Sequence, residues 1–287
     1  MATADGAPVP ASPTASTAPL LRIGSAAAAL FASDMHLDDA QPRSAAYFFE
    51  RLDKTLAAAI ARTGSAGAPV LFLMGDLFEY WLGDDHEPAV GQALAERLAR
   101  FSHAGGRAFL MHGNRDFLLD VPIPSRPDLV GFTSRCRAKL LPDPAVIEVA
   151  GRRIALSHGD ALCTDDTRYQ QWRTLCRSDD WQRQFLARPL AERLAMAQAM
   201  RKQSMQAQAV TETLSDVNQE AVDALMTRLD TALLVHGHTH RPMVHRWDAR
   251  RRWVLSDWSE SPPRGEVLPL SALDAPGTTS SRSEAGA

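Results

Sequence analysis

VLFLMGDLFEYWLGDD, residues 70–85, begins with five apolar residues in a row and then breaks at Gly75-Asp76. A short, uninterrupted apolar run that ends at a turn residue reads as a strand buried on both faces. Such strands belong to an α/β core with an at least partly parallel sheet. Working outward from this stretch, the same punctuation recurs. Residues 27–33 (AAALFAS) run into Asp34-Met35-His36, and residues 107–111 (RAFLM) run into His112-Gly113-Asn114-Arg115-Asp116. Residues 153–157 end in His158-Gly159-Asp160, and residues 231–235 (TALLV) end in His236-Gly237-His238-Thr239-His240. Residues 146–149 and 252–255 complete the predicted strands, with helical spacing over 43–62 and 89–104.

Five strand ends thus each deliver Asp, Asn or His, usually beside glycine. The C-terminal edge of strands in an α/β sheet is where ligands bind. A lone Asp-x-His or Gly-Asp is an ordinary turn, and His-Gly-His-Thr-His is stronger because His238 and His240 alternate in an extended segment and point the same way. Together Asp34, His36, Asp76, Asn114, His158, His238 and His240 offer seven O/N donors and no thiolate. Seven is too many for one tetrahedral ion and right for two ions sharing a bridging carboxylate. Mixed imidazole and carboxylate suits Mn²⁺, Fe²⁺ or Zn²⁺ better than a purely oxygen-ligated Ca²⁺ or Mg²⁺. Two such ions roughly 3.5–4 Å apart clamp a phosphoryl group during in-line displacement. His112 and His236 precede glycine at strand ends and read as supporting or core residues. His86, His103 and His245 have no motif and read as exposed, and Cys163 reads as structural.

Composition narrows the field. The 287 residues carry 31 Lys+Arg against 34 Asp+Glu, a net charge of −3, which excludes a nucleic-acid binder held by a globally basic surface. Three cysteines without a CxxC argue against a disulfide scaffold. No apolar run approaches the roughly 20 residues of a membrane-spanning helix. Residues 1–20 lack Lys, Arg and an apolar stretch, so they read as a disordered extension rather than a signal sequence. Residues 275–287 read as a disordered tail.

Between 164 and 229 the strand rhythm stops, and the sequence is rich in Ala, Gln, Arg, Met and Leu. This stretch reads as a helical insertion between core segments 21–163 and 230–274. Leu186, Leu190, Leu194 and Ala197 share one stripe, with Met196 and Met200 beside it. The stripe either packs on the core or, as a lid with Met205, lines a pocket for acyl chains. Arg188, Arg193, Arg201 and Lys202 would then meet anionic headgroups.

The motif order Asp-x-His, Gly-Asp, Gly-Asn-x-Asp, His and Gly-His-x-His resembles the calcineurin-like metallophosphoesterase superfamily over residues 27–258. Within it, GDLFEYWLGDD (75–85), HGNRDFLL (112–119), HGDALCTDD (158–166), DVNQ (216–219) and HGHTHRP (236–242) resemble the lipid A hydrolases. Many superfamily members have His after the motif Asn. Arg115 stands there, as in the narrower group. The resemblance implies a four-layer α/β/β/α sandwich with the helical insertion, and two Mn²⁺ ions. It implies that Asp34, His36 and His240 hold one ion, that Asn114, His158 and His238 hold the other, and that Asp76 bridges them. It assigns Asn114 and Arg115 to catalysis, Arg115 on the phosphate, with Asp116 orienting its neighbours. Asn114, Arg115, Asp166, Arg201, Ser204, Gln208 and His238 fall at substrate-contacting positions, although the family often shows Asn and Lys near Gln208 and Thr211.

The implied reaction is hydrolysis of a UDP-sugar pyrophosphate, with hydroxide held by the metals attacking the α-phosphorus. The products would be UMP and 2,3-diacylglucosamine 1-phosphate. A diacylated substrate implies a peripheral position on the inner face of the cytoplasmic membrane, with no nucleic acid and no obligate protein partner. The same-class alternative is a metallophosphoesterase acting on another nucleotide pyrophosphate or phosphodiester. A metal-free scaffold on the same fold is disfavoured because all seven donors are present.

Overall fold

A computed structural model describes residues 20–24, 28–62, 67–149, 151–208 and 216–274, with the side chains of 201–208 and 274 left out of the description. Its first core strands are β1 (Leu20–Ile23) and β2 (Ala29–Ala32), followed by helix α1 (Pro42–Ala61), β3 (Val70–Met74), α2 (Ala89–His103) and β4 (Arg107–Met111). Then come α3 (Phe132–Cys136), β5 (Lys139–Leu141), and the antiparallel pair β6 (Ala145–Val149) and β7 (Arg152–Ser157). Helices α4 (Thr167–Cys176), α5 (Asp179–Leu186), α6 (Leu190–Gln208) and α7 (Gln219–Arg228) precede β8 (Leu233–His236), β9 (Met243–Trp247) and β10 (Arg250–Val254). The short strands β11 (Ser259–Glu260), β12 (Pro263–Arg264) and β13 (Leu268–Pro269) follow.

Two sheets stack face to face. One has the order β13-β2-β3-β4-β5, parallel except for the β13 edge, and the other has the order β1-β6-β7-β8-β10-β9 with mixed directions. Strand alternation sorts the core into three layers. Phe31, Phe72, Met74 and Phe109 of the first sheet meet Ile147, Ile154, Leu156 and Val235 of the second. The opposite face of the first sheet, with Leu30, Leu71, Leu73 and Leu110, takes the apolar stripes of α1 and α2. Those stripes follow helical spacing, as in Phe48, Leu52, Leu56 and Ala59 of α1. The far face of the second sheet, with Val146, Ala155 and Leu234, takes Val222, Leu225 and Met226 of α7. The result is an α/β/β/α sandwich.

Three sequence readings need adjustment. First, α7 is the outer layer of the sandwich, so the part of 164–229 that departs from the core ends before it. Asn218 of the DVNQ motif caps this helix, accepting from the backbone N–H groups of Glu220 and Ala221. Second, Leu20, assigned to the extension, is paired with Val146 in a parallel register. Residues 1–19 and the tail 275–287 lie outside the described residues. Third, the lid stripe divides. Leu186 is fully buried and Leu194, Met196 and Ala197 pack against the α1–α2 core, whereas Leu190 is 36% exposed. Arg193 cannot meet a headgroup. It is 2% exposed, paired with Asp85, and donates to the carbonyls of Leu82 and Arg188. Arg188 stays at the surface, paired with Glu192 at 3.5 Å.

Candidate metal centre

All seven sequence-derived donors come from loops at the same edge of the sandwich, after β2, β3, β4, β7 and β8. Five of them, Asp34, His36, Asp76, His238 and His240, have positive φ between 47° and 69°. Asp, Asn and His are the non-glycine residues that tolerate this region best. Tight turns there fold the donors back over the strand ends. Gly113 and Gly237 permit the approach of neighbouring loops. A Cβ on Gly113 would overlap the Asp76 carboxylate and backbone, and one on Gly237 would overlap Asp34 and Ser33.

Two groups of donors result, one of Asp34, His36 and His240 and the other of Asp76, His158 and His238. In the first, the Nε2 atoms of His36 and His240 face each other at 3.1 Å, and His240 Nε2 lies 3.5 Å from Asp34 Oδ1. In the second, Asn114 Oδ1 lies 2.8 Å from His238 Nδ1 and 3.0 Å from His158 Nε2. Asp76 sits between them, with Oδ1 3.6 Å from His158 Nε2 and Oδ2 3.8 Å from His36 Nε2. Its Oδ1 also accepts from the Arg115 backbone N–H at 2.9 Å.

The supporting bonds set the orientation of these groups. His158 Nδ1 donates to the Met74 carbonyl at 3.0 Å, which turns its Nε2 toward Asp76 and Asn114. The His238 backbone N–H donates to Asp34 Oδ2 at 2.9 Å. Asp116 accepts from Leu77 N–H at 2.6 Å and Gly113 N–H at 2.7 Å, so it braces the loops that carry Asp76 and Asn114. Burial and the Asp76 charge raise Asp116 to about 6.

The electrostatics favour a cation. Burial alone would push the His158 imidazole down, yet Asp76, Asp34, Asp160 and Asp143 override it and raise the ring to about 9. Burial also opposes ionisation of Asp34, but the His240 hydrogen bond and the charges of neighbouring histidines hold it below the usual carboxylate range. His238 goes the other way, to about 4, through burial and the adjacent His158. A buried basin negative enough to lift a fully buried histidine, lined by converging imidazole nitrogens and carboxylates, fits divalent cations.

The remaining histidines sort largely as expected. Half-buried His112 donates from Nε2 to the Leu119 carbonyl at 2.8 Å, and buried His236 is pushed to about 3 by burial and Arg252. His103 is exposed, whereas His86 and His245 are half-buried rather than exposed. Cys163 is buried, with its Sγ 3.9 Å from the Gly159 carbonyl oxygen. Asp166 caps α4, accepting from Tyr169 N–H at 2.9 Å, while Arg201, Ser204 and Gln208 lie on α6 with side chains outside the description, and Thr211 lies outside the described residues.

Sequence reasoning missed several neighbours. Glu79 reaches both His36 and Arg115, and Asp257 reaches His240. Buried Asp160 binds Tyr169, Arg173 and Arg177, and Arg177 also donates to the Gly113 carbonyl at 2.9 Å, tying α4 to two donor loops. Asp160 stands in the HGD motif and Glu79 in GDLFEYWLGDD, which are the available signals, whereas Asp257 lies in no motif.

Residues 28–242 match the calcineurin-like phosphoesterase family model. A protein named UDP-2,3-diacylglucosamine hydrolase from Ralstonia nicotianae is 43% identical over 253 residues, covering 84% of this chain and 88% of its own. The chain belongs to the UDP-2,3-diacylglucosamine hydrolase family of calcineurin-like phosphoesterases. Members of the same name from Chromobacterium violaceum and Stenotrophomonas maltophilia are 44% and 39% identical, covering 79% and 85% of the chain and 89% and 94% of their own lengths. Calcineurin-like phosphoesterases use divalent metals, and this chain has two groups of side chains that could hold them. No described helix is long and apolar enough to cross a membrane.

Proposed function

We propose that the chain hydrolyses the pyrophosphate of UDP-2,3-diacylglucosamine. Water adds to the α-phosphorus, the bridging P–O bond breaks, and UMP and 2,3-diacylglucosamine 1-phosphate leave. The observation that carries this is the Asp76 carboxylate, whose two oxygens each face a histidine of a different donor group. The relatives' names supply the substrate.

Asp34, His36 and His240 would hold one Mn²⁺ and Asn114, His158 and His238 the other, with Asp76 touching both. Such ions lower the pKa of an attacking water and neutralise charge on phosphoryl oxygens. The chain's own residues do the rest. Asp116 and the Arg115 backbone N–H hold the Asp76 and Asn114 loops together. The Arg115 guanidinium, part-exposed at the rim and 3.5 Å from Glu79, would take the phosphate as a planar, permanently charged donor. Asp166, Arg201, Ser204 and Gln208 would contact the sugar nucleotide from α4 and α6, together with Asn114 and His238. Residues from 164 to the start of α7 would form the lid over the lipid. The lipid substrate would place the protein at the inner face of the cytoplasmic membrane, with Arg188 among the cations at its surface.

The direct test compares UMP release from the diacylated sugar nucleotide with release from simple nucleotide pyrophosphates and phosphodiesters. Preference for the simple substrates would sink the proposal. Arg115→Ala should lower turnover roughly 10²–10³-fold, as for loss of one preorganised donor, with metal content unchanged. Metal lost in step with activity would make Arg115 a structural residue instead. Leu190→Asp should raise KM for the diacylated substrate about tenfold, from lost apolar burial of the lipid, while a small chromogenic phosphodiester is turned over as before. A lowered melting temperature with loss of both activities would place Leu190 in the core.

A further inference from the structure

Placing His36 and His240 on one cation has a consequence for the atoms behind them, and the inference below rests on that placement. With the two Nε2 atoms facing each other at 3.1 Å, each ring turns its Nδ1 outward. His36 Nδ1 lies 3.4 Å from Glu79 Oε2, and His240 Nδ1 lies 3.7 Å from Asp257 Oδ2. Both carboxylates are nearly fully buried. They come from distant parts of the chain, Glu79 from the loop after β3 and Asp257 from the loop after β10. Each is also held from another side by an arginine. Arg115 lies 3.5 Å from Glu79 Oε1, and Arg264 donates twice to Asp257 Oδ2, at 3.0 and 2.6 Å.

The second donor group is backed differently. His158 Nδ1 meets the neutral Met74 carbonyl at 3.0 Å, and His238 turns its own Nδ1 inward to Asn114. A carboxylate behind a metal-ligating imidazole keeps the proton on Nδ1, fixes the ring and raises the basicity of the ligating nitrogen. A carbonyl fixes the tautomer with less charge.

We propose that Glu79 and Asp257 are positioning residues that lock the His36 and His240 rings onto the cation shared with Asp34, and that they make it the tighter of the two cation positions. Glu79 then has two partners, His36 through one oxygen and the Arg115 guanidinium through the other, so the phosphate contact and this cation position are built as one unit.

The test is calorimetric titration of Mn²⁺ alone into the metal-stripped full-length protein. The wild type should show two binding events of unequal affinity. Glu79→Gln and Asp257→Asn should each weaken the tighter event about 10- to 100-fold. The other event should stay within about threefold. The same substitutions are then made in paired backgrounds, Glu79→Gln with His36→Ala and Asp257→Asn with His240→Ala. If the carboxylates act through the rings, each should add less than about threefold to the loss already caused by the histidine. Equal weakening of both events, unchanged affinity, or a full effect that persists without the histidine would overturn the assignment. Persistence is also what a general folding defect would give. A wild type that binds fewer than two Mn²⁺ would instead overturn the two-cation reading beneath it.

Discussion

Asp76→Ala protein is expected to carry fewer than two divalent ions and to lose at least about 10³ in turnover, roughly 4 kcal/mol of barrier. The carboxylate faces His158 through one oxygen and His36 through the other, and it anchors the Arg115 backbone N–H besides. Removing it takes a donor from both groups at once and also loosens the loop that presents Asn114. Elemental analysis beside a turnover assay checks this. A variant with two ions and ordinary turnover would refute the shared-carboxylate arrangement.

The second large effect is on stability. Arg193→Ala should destabilise the fold by about 3 kcal/mol, the lower end for breaking a buried ion pair, because the Asp85 partner keeps some contact with water. For a chain of this size that corresponds to roughly 6–12 °C in melting temperature. The guanidinium also satisfies the Leu82 and Arg188 carbonyls, so alanine leaves those groups unpaired as well. Thermal melting followed by circular dichroism reads the outcome. A shift under about 1 °C would mean that α6 is not pinned to the loop of residues 82–85 by this pair, since even 1 kcal/mol moves such a chain by about 2–4 °C.

The strand-end motifs were readable because each couples an apolar run, which announces a buried strand, with residues that have no packing reason to stand at its end. Local sequence carries that much. It does not carry the backbone conformation of Asp34 or His240, nor which oxygen of Asp76 faces which ring, because both follow from loops that meet only after folding. Glu79 lies within the GDLFEYWLGDD motif but reads like any loop acid, and Asp257 lies outside every motif. Their meaning depends on rings supplied from elsewhere in the chain. Arg193 reads as a cation for anionic headgroups because its partner Asp85 is far away in sequence. Helix α7 reads as part of the insertion because periodicity gives a helix's apolar stripe, never what that stripe covers. Edge strands β1, β5 and β9 were missed because they are short and partly exposed, with no clean alternation to mark them.

Asp34, His36, Asp76 and Asn114 follow strands of the five-stranded sheet, whereas His158, His238 and His240 follow strands of the six-stranded sheet. Each donor group therefore draws on both sheets, and an ion in either one is a removable cross-link between the two halves of the molecule. Amide hydrogen exchange along β2, β3, β7 and β8 should slow together when Mn²⁺ is added and quicken together when it is chelated. In that sense the two donor groups, once loaded, would also be a rivet, and the stiffness of the sandwich would become a function of the metal concentration around it.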